Sequence, residues 1–483
     1  MMKRIITFLL AMIMALAIVS CKRSPIVEDL ISENITENQI SQNSETDVTV
    51  SEQNQDSSPQ STNDAVMANS KPSSPSKTTQ NPHSNQKATV TMSHWIAGGT
   101  TEKTSVNTVL AQMKKDYPNI NVKVNFVSGD YSTKMYANLA AKKEPDVFMV
   151  ADGDFGKWVK AGVLENLTPY VNKSKAIDIS QMWASAITRY SYDGKVQGKG
   201  NLYAMPKDIS PRVLFYNKDL LKKYGVAEPS KTQPMTYDQF VDFLKKLAHP
   251  NDGVWGIPSL NWEGWIRSSG TSLLSADHKS SNLNDPKLWD VFQKLSDLIH
   301  VYKVTPTSAK LDSEGAMIMF QTQKAACFDG AIYNVITARD FEFEWDVCPL
   351  PGGIESPYAA GYTGSVGYGV SKRSSQMDAA YMVAEYFCTR TAQKLLCEIG
   401  FNIPLYKDMA NSSVFLKANK KPANAAAFIK AAEYQQPLDV TYTDNDQWYT
   451  VLGNRLQPLW NDANSKAAVL VPSLKSEIDR LLK

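Results

Sequence analysis

The chain has 483 residues, 43% of them hydrophobic and 10% aromatic, and its 51 Lys+Arg nearly balance 49 Asp+Glu. That length supports one large or two medium domains with full cores, and the even charge argues against nucleic acid as a main partner, because phosphate neutralisation needs a basic excess. Only the first twenty residues are continuously apolar, which excludes a multi-span membrane protein.

Residues 1–20 read as a secretory leader: Lys3 and Arg4 form a short positive region, and residues 5–19 an apolar stretch too short to span a membrane. Ile18-Val19-Ser20-Cys21 resembles a bacterial lipobox, in which Cys21 is lipidated and becomes the new N-terminus. The other reading is an ordinary signal peptide with an incidental cysteine. A lipid anchor on Cys21 places the protein on the outer face of a bacterial cell membrane, held by acyl methylenes worth about 0.8 kcal/mol each. Cys327, Cys348, Cys388 and Cys397 can pair there or remain buried thiols; no spacing demands a disulfide.

Residues 21–88 form the next unit. In 22–88, Ser, Thr, Asn and Gln make up 34 of 67 residues, with no Phe, Trp or Tyr. Such a segment cannot bury enough apolar surface to offset its ordering entropy, so a disordered tether is expected.

The composition changes at residue 89. Residues 88–95 have strand character, and Gly98-Gly99 opens a loop. Residues 104–117 carry Val106, Val109, Leu110 and Met113 at helical spacing, with Pro118 as a stop. Residues 120–127 alternate as a strand, 131–142 are helical, and 145–150 form a short apolar strand. Strand, helix, strand, helix, strand implies a parallel sheet whose ligands sit at the carboxyl ends of the strands, after Trp95 and at Ala151-Asp152-Gly153-Asp154. A second series follows: a strand at 213–216, helices at 237–247 and 286–302, a buried strand at 325–330, a Gly-rich strand at 364–370, and one helix over 376–399. The fold class is therefore α/β.

Catalytic chemistry is not legible. The five histidines are scattered, with no metal-ligand pair at helical spacing, so no metal site is expected. Thr363-Gly364-Ser365-Val366-Gly367 has Thr363 where the nucleophile elbow needs glycine. Gly194-Lys195-Val196-Gln197-Gly198-Lys199 is one residue short of a phosphate loop, and Gly361, Gly364, Gly367 and Gly369 do not fit the dinucleotide fingerprint, so no cofactor is expected.

Trp95, Trp262, Trp265 and Trp448 stand among polar neighbours in or beside expected loops. Flat aromatic faces stack on sugar rings while Asp, Asn and Arg bond the hydroxyls. The order of motifs resembles the family 1 extracellular solute-binding proteins, the carbohydrate receptors of bacterial ABC importers. The matching pieces are the strand ending in Trp95, Glu144-Pro145-Asp146-Val147-Phe148 with Asp152-Gly153-Asp154, and Ala161-Gly162-Val163-Leu164-Glu165-Asn166-Leu167. Leu202-Tyr203-Ala204-Met205-Pro206-Lys207-Asp208, Leu214-Phe215-Tyr216-Asn217-Lys218-Asp219-Leu220-Leu221 and Lys324-Ala325-Ala326 with Phe328-Asp329-Gly330 follow in order. The Gly-rich strand, Gly400-Phe401-Asn402-Ile403-Pro404 and Gln447-Trp448 complete the set, which covers essentially all of 89–483.

The resemblance implies two lobes of the type II periplasmic-binding-protein kind, each a mainly parallel sheet flanked by helices, joined by a multi-strand hinge. The first lobe would hold 89–214 and 358–400, the second 215–357 and 401–483, with hinge strands at 214–217 and 348–351. It puts Trp95, Asp152, Asp154, Asp208 and Arg212 on the first-lobe side of a ligand cleft or near the hinge, and Trp262, Trp265, Asp329 and Trp448 on the second-lobe side. Ile332 stands where many relatives have a tryptophan, so one stacking platform is missing or replaced by Tyr333. The implied protein is a monomeric receptor, not an enzyme, that closes over a mono- or oligosaccharide and hands it to permease subunits, with the ATPase on a separate chain. Trp448→Ala is then expected to weaken sugar binding by about 1 kcal/mol or more with the fold intact. The same fold also serves receptors for other solutes and ligand sensors. A lipid-anchored glycan hydrolase is the rival from another class.

Overall fold

The computed structural model describes residues 87–96, 100–352, 361–400, 402–417, 421–443 and 446–483. The leader, Cys21, nearly all of the expected tether and the Gly98-Gly99 loop lie outside the described residues. No helix among the described residues is long and apolar enough to cross a membrane.

The first sheet has the order β2-β1-β3-β11-β6. Strand β1 (Ala88–Trp95) runs parallel to β2 (Ile120–Val127), pairing Ala88 with Ile120 through Trp95 with Val127. Strand β3 (Val147–Ala151) is parallel to β1 on its other side and is buried over its first four residues, so it reads as an unbroken apolar run. The Thr100–Asp116 and Tyr131–Ala140 helices make the crossovers, and Asp130 caps the second by accepting from the Thr133 N–H. A short hairpin, β4 (Ser191–Tyr192) with β5 (Asn201–Leu202), precedes β6 (Ala204–Pro206).

The chain then leaves along β7 (Ser210–Asn217), the centre of the second sheet. β8 (Cys327–Ala331), β9 (Trp345–Cys348) and β10 (Thr363–Gly364) all pair antiparallel with β7. From β10 the chain returns into the first sheet as β11 (Val366–Val370), antiparallel to both β3 and β6. The first sheet is thus mixed and the second is antiparallel, where mainly parallel sheets were expected. The reason is connectivity: β11 enters the first sheet from the edge where β3 ends, so it must run the other way. The glycines of β11 serve close packing, because a Cβ on Gly369 would lie 2.5 Å from Leu164 Cδ2 and one on Gly367 would lie 2.9 Å from the Met205 carbonyl oxygen.

Two cores follow. The first is built on Val90, Val147, Phe148, Trp158, Met205 and Tyr368, the second on Leu214, Tyr216, Phe240, Phe292, Trp448 and Leu452. Alternation along β7 divides its side chains: Leu214 and Tyr216 face the second core, while Phe215 packs against Phe328, Trp345 and Phe428 on the opposite face. The Tyr237–Leu247 helix appears where expected and carries a capping box between Thr236 and Gln239.

Three expectations are corrected. The helix over 376–399 is two helices, Met377–Tyr386 and Arg390–Ile399, because Thr389 takes an extended backbone and its side chain caps the second by accepting from the Ala392 N–H. Residues 402–416, placed with the second lobe, pack on the first: Ile403, Leu405 and Tyr406 are in its core, and Trp183 Nε1 donates to the Pro404 carbonyl at 2.9 Å. Phe401 itself lies outside the described residues. The chain crosses between lobes three times: outward into β7, back through β10 and β11, and outward again after the Ser413–Leu416 helix. The first crossing precedes Leu214, at Asp208 to Arg212. The last is pinned by buried Asn424, whose side chain donates to the Val347 and Lys231 carbonyls. All four described cysteines are free and buried.

Candidate functional site

The carboxyl end of β3, the crossing strands and residues 437–443 and 446 of the second lobe meet along one seam. On the first-lobe side Asp152 opens the Asp152–Lys160 helix. Its Oδ2 accepts from Arg189 Nη1 at 2.6 Å and from the Ser365 N–H at 3.3 Å. Arg189 is fully buried and also donates to the Ser185 and Thr363 carbonyls, so helix, crossing strand and carboxylate are held as one unit. Burial pushes the Asp152 carboxyl up against the opposing pull of Arg189. Asp152 Oδ1 has no partner among the described residues.

The second lobe closes on this point. Lys157 Nζ lies 3.0 Å from Asp446 Oδ1, and a Cβ on Gly156 would lie 3.4 Å from the Thr443 carbonyl oxygen. Tyr442 lies over Gly198, stacks on His278 with centroids 5.7 Å apart, and feels the charge of Arg189. The void left among Asp152, Gly153, Val440, Thr441 and Asp446 is about 10 Å³. That is too small for any organic ligand, so the two sides meet here with no room between them.

The loop that forms the seam is tied to the Trp262–Ser268 helix. Glu263, fully buried, accepts from Arg267 Nη2 at 2.9 Å and from the Asp439 N–H, and Arg267 also pairs with Asp439 and bonds the Pro437 carbonyl. Burial, then the nearby Asp439 charge, pushes Glu263 up to about 8, with Arg267 opposing. Nearer the hinge, Arg212 Nε donates to Asp329 Oδ1 at 2.7 Å and the guanidinium lies 5.1 Å from the Tyr362 ring centroid. The Gln435 amide clamps the Arg212 backbone, accepting from its N–H at 2.8 Å and donating to its carbonyl at 2.7 Å. Asp329 Oδ2 accepts from the Asn261 N–H, and Asn261 in turn caps the Trp262–Ser268 helix.

Asp152, Arg212 and Asp329 therefore lie on the seam or its hinge side. Trp262 is half-buried and stacks on Tyr449 at 5.2 Å and 23°. Trp95 is half-buried at the end of β1, beside residues outside the described set. The other candidates point elsewhere. Asp154 faces into its own lobe, accepting from Ser132 Oγ at 2.7 Å and Tyr136 OH at 3.1 Å. Asp208 is buried, its Oδ1 taking the Val366 N–H and its carbonyl the Ser365 hydroxyl, so it locks two crossing strands together. Trp265 is only 3% exposed and packs on Tyr237 and Phe240; one helical turn separates it from Trp262 and turns it to the core. Trp448 is fully buried, with Nε1 donating to Thr443 Oγ1 at 3.0 Å, because the 437–443 segment folds over it. Tyr333 is an exposed side chain and Ile332 a buried one.

Sequence reasoning passed over Arg189, Glu263, Gln435, Tyr442 and the Lys157–Asp446 pair. A lone arginine inside Ile187-Thr188-Arg189-Tyr190 was the one available signal, since an arginine buried on a short helix needs a carboxylate partner. The rest depend on partners far along the chain.

A model of the bacterial extracellular solute-binding protein family matches residues 97–394. The chain is 22% identical over 302 residues to a maltotriose-binding protein of Pyrococcus abyssi, covering 58% of this chain and 59% of that one. It is 29% identical over 354 residues to an arabinooligosaccharide-binding protein of Bacillus subtilis, covering 70% and 78%. The chain thus spans about three fifths of the length of the first of these relatives. Among solved structures, an ABC substrate-binding protein of Listeria monocytogenes in complex with cycloalternan superposes with a TM-score of 0.71 at 24% identity, covering 82% of this chain and 99% of that one.

Proposed function

We propose that this chain, which belongs to the bacterial extracellular solute-binding protein family, is the carbohydrate receptor of an ABC importer. It binds a mono- or oligosaccharide between its lobes and presents the closed form to permease subunits, with no chemistry of its own. Cys21 carries the lipid anchor, residues 22–88 tether the lobes, and the protein works as a monomer on the extracytoplasmic face of the membrane.

The observation that supports this reading is the seam itself. Two lobes joined by three chain crossings meet where one carboxylate oxygen of Asp152 has no partner among the described residues. A hydroxyl donor fits that oxygen, whereas an anionic ligand would be repelled by it. Named relatives that bind maltotriose and arabinooligosaccharide point the same way. In this mechanism saccharide binds the parted lobes and stabilises the closed form, because both lobes contact it only there. Asp152 and Arg212 hold the hydroxyls, Trp95 and Trp262 offer ring faces, and Asp208 and Asp329 brace the crossing strands.

Thermal unfolding of the full chain against a saccharide panel tests the reading. At a hundredfold excess over Kd a ligand stabilises by about 2.7 kcal/mol, a shift of roughly 3 °C for a chain of this size. A shift with one saccharide class supports it. No shift with any saccharide, with a shift for an amine or phosphate ester, replaces the sugar by another solute. Release of product from a chromogenic glycoside makes the protein a hydrolase instead.

A further inference from the structure

The first sheet ends at β2, which pairs with β1 on one side and with no strand on the other among the described residues. In a parallel pair alternate residues turn their N–H and C=O groups away from the partner, so β2 carries a row of such groups along its outer edge. A groove of about 360 Å³ runs beside that edge, between β2 and the Thr100–Asp116 helix. Val122, Val124 and Phe126 line it from one face of β2, Leu110 and Met113 from the helix. The three β2 side chains are only half-buried, so the apolar layer between sheet and helix is open at its rim. Lysines mark both ends. Lys114 Nζ donates to the Ile120 carbonyl at 3.2 Å where β2 starts, and Lys103 Nζ lies 5.5 Å from the Phe126 ring centroid near where it stops.

We propose that the chain's own tether covers this edge, with residues 46–51 lying along β2 as an added strand. Within 22–88 these residues carry the strand pattern: Thr46, Val48 and Val50 fall on one face, Asp47, Thr49 and Ser51 on the other. Val48-Thr49-Val50-Ser51 repeats, but for one residue, the Val90-Thr91-Met92-Ser93 of β1, which already pairs with residues 122–125 on the inner edge of β2. Charge agrees. Residues 45–52 hold Glu45, Asp47 and Glu52 and no Lys or Arg, so acids stand at both ends of the segment as lysines do at both ends of the groove. A second copy's β2 would instead set those lysines against their own kind. Reach agrees too, since the 36 residues from 52 to 87 form a coil of about 33 Å, against about 10 Å for the two strand spacings from β1 to a strand beyond β2. With Cys21 as the anchor, docking shortens the leash from about 45 Å to the roughly 27 Å of a coil of residues 22–45. The docking itself does not depend on the saccharide reading.

The test is amide hydrogen exchange, read peptide by peptide, on the full chain and its Val48→Pro and Val50→Pro variants. Proline removes a donor and cannot sit in a paired strand, and both changes lie outside the two cores, so a cooperative melt close to that of wild type verifies folding. The expected result is exchange at 46–51 about tenfold slower than at 60–80 in wild type, with each proline abolishing that protection and speeding exchange at 121–126. Asp47→Lys should weaken the protection, and 0.5 M salt should weaken it in wild type. Exchange at 46–51 as fast as at 60–80 overturns the proposal. Protection of 121–126 that is equal in all the proteins and rises with protein concentration overturns it in favour of a second copy on the edge. Protection at 46–51 that survives both prolines also overturns it, because the contact is then not strand pairing. None of these outcomes bears on saccharide binding, which the thermal-shift panel decides separately.

Discussion

Lys157 Nζ and Asp446 Oδ1 are 3.0 Å apart, and they belong to different lobes. Lys157 sits in the last turn of the helix that Asp152 opens, and Asp446 precedes the Gln447–Arg455 helix. The pair therefore exists only while the lobes are together. Asp446 is half-exposed, so the attraction is screened and worth only about 0.2–1 kcal/mol. Lys157→Ala should leave each lobe intact and weaken saccharide affinity about two- to threefold, because closure loses one favourable contact. Affinity measured from low to 0.5 M salt separates this from a packing effect. The wild type should lose affinity as the pair is screened, and the variant should lose less.

The buried Glu263, Arg267 and Asp439 cluster predicts the direction of pH dependence. Two carboxylates share one guanidinium, and Glu263 is pushed up to about 8 from an ordinary 4.5. Its folded value is raised, so between those limits the folded state binds more protons than the unfolded chain. Stability then falls as pH rises from about 4.5 to about 8. Urea unfolding should show the highest midpoint on the acid side of neutrality. Glu263→Gln, which keeps shape and loses the titration, should flatten that slope. An unchanged slope in the variant would assign the dependence to other groups.

Trp262 and Trp448 should respond differently to truncation. Trp448 is fully buried in the second core, so Trp448→Ala opens a cavity and should cost about 3–5 kcal/mol of stability. That corrects the expectation that the change leaves the fold intact. Trp262 is half-buried and stacked on one side, so Trp262→Ala should cost less stability and weaken saccharide binding by about 1 kcal/mol. Unfolding midpoints with parallel ligand titrations distinguish the two. Equal stability losses would mean that Trp262 is a core residue as well.

These tryptophans also mark where sequence reasoning stops. Alternation and helical spacing located β1, β2 and the Tyr237–Leu247 helix closely, because each buries one face and its period shows it, and β3 was located by its unbroken apolar run. Trp262 and Trp265 stand three residues apart on one short helix, and no local pattern says which faces the core. That depends on Phe240 and Tyr237, about 25 residues earlier. The break between the Met377–Tyr386 and Arg390–Ile399 helices was missed because both segments carry apolar residues at helical spacing and Thr389 is a weak signal until its cap bond is seen. Asp154 was legible as an acid at a strand end, but its direction was decided by Ser132 and Tyr136.

Two glycines in one loop separate lobe closure from simple folding. Gly198 has φ +94° and Gly200 φ +82°, so alanine at either is strained. A Cβ on Gly200 would lie 2.5 Å from Asp193 Cα, inside the β4–β5 hairpin, whether the lobes are open or shut. A Cβ on Gly198 would lie 3.3 Å from Tyr442 Cε1, a contact that forms only when the second lobe is in place. Gly200→Ala should therefore lower the melting temperature by several degrees with little further change in affinity for the folded protein. Gly198→Ala should lower it less, having only the backbone strain to bear in the open form, yet weaken saccharide binding more, because Tyr442 must shift each time the lobes close. Small-angle scattering with and without saccharide provides the structural readout: the compaction seen in wild type should be reduced in Gly198→Ala and retained in Gly200→Ala. The reverse ranking would remove Tyr442 from the closing surface and assign that role to the Lys157–Asp446 end of the seam.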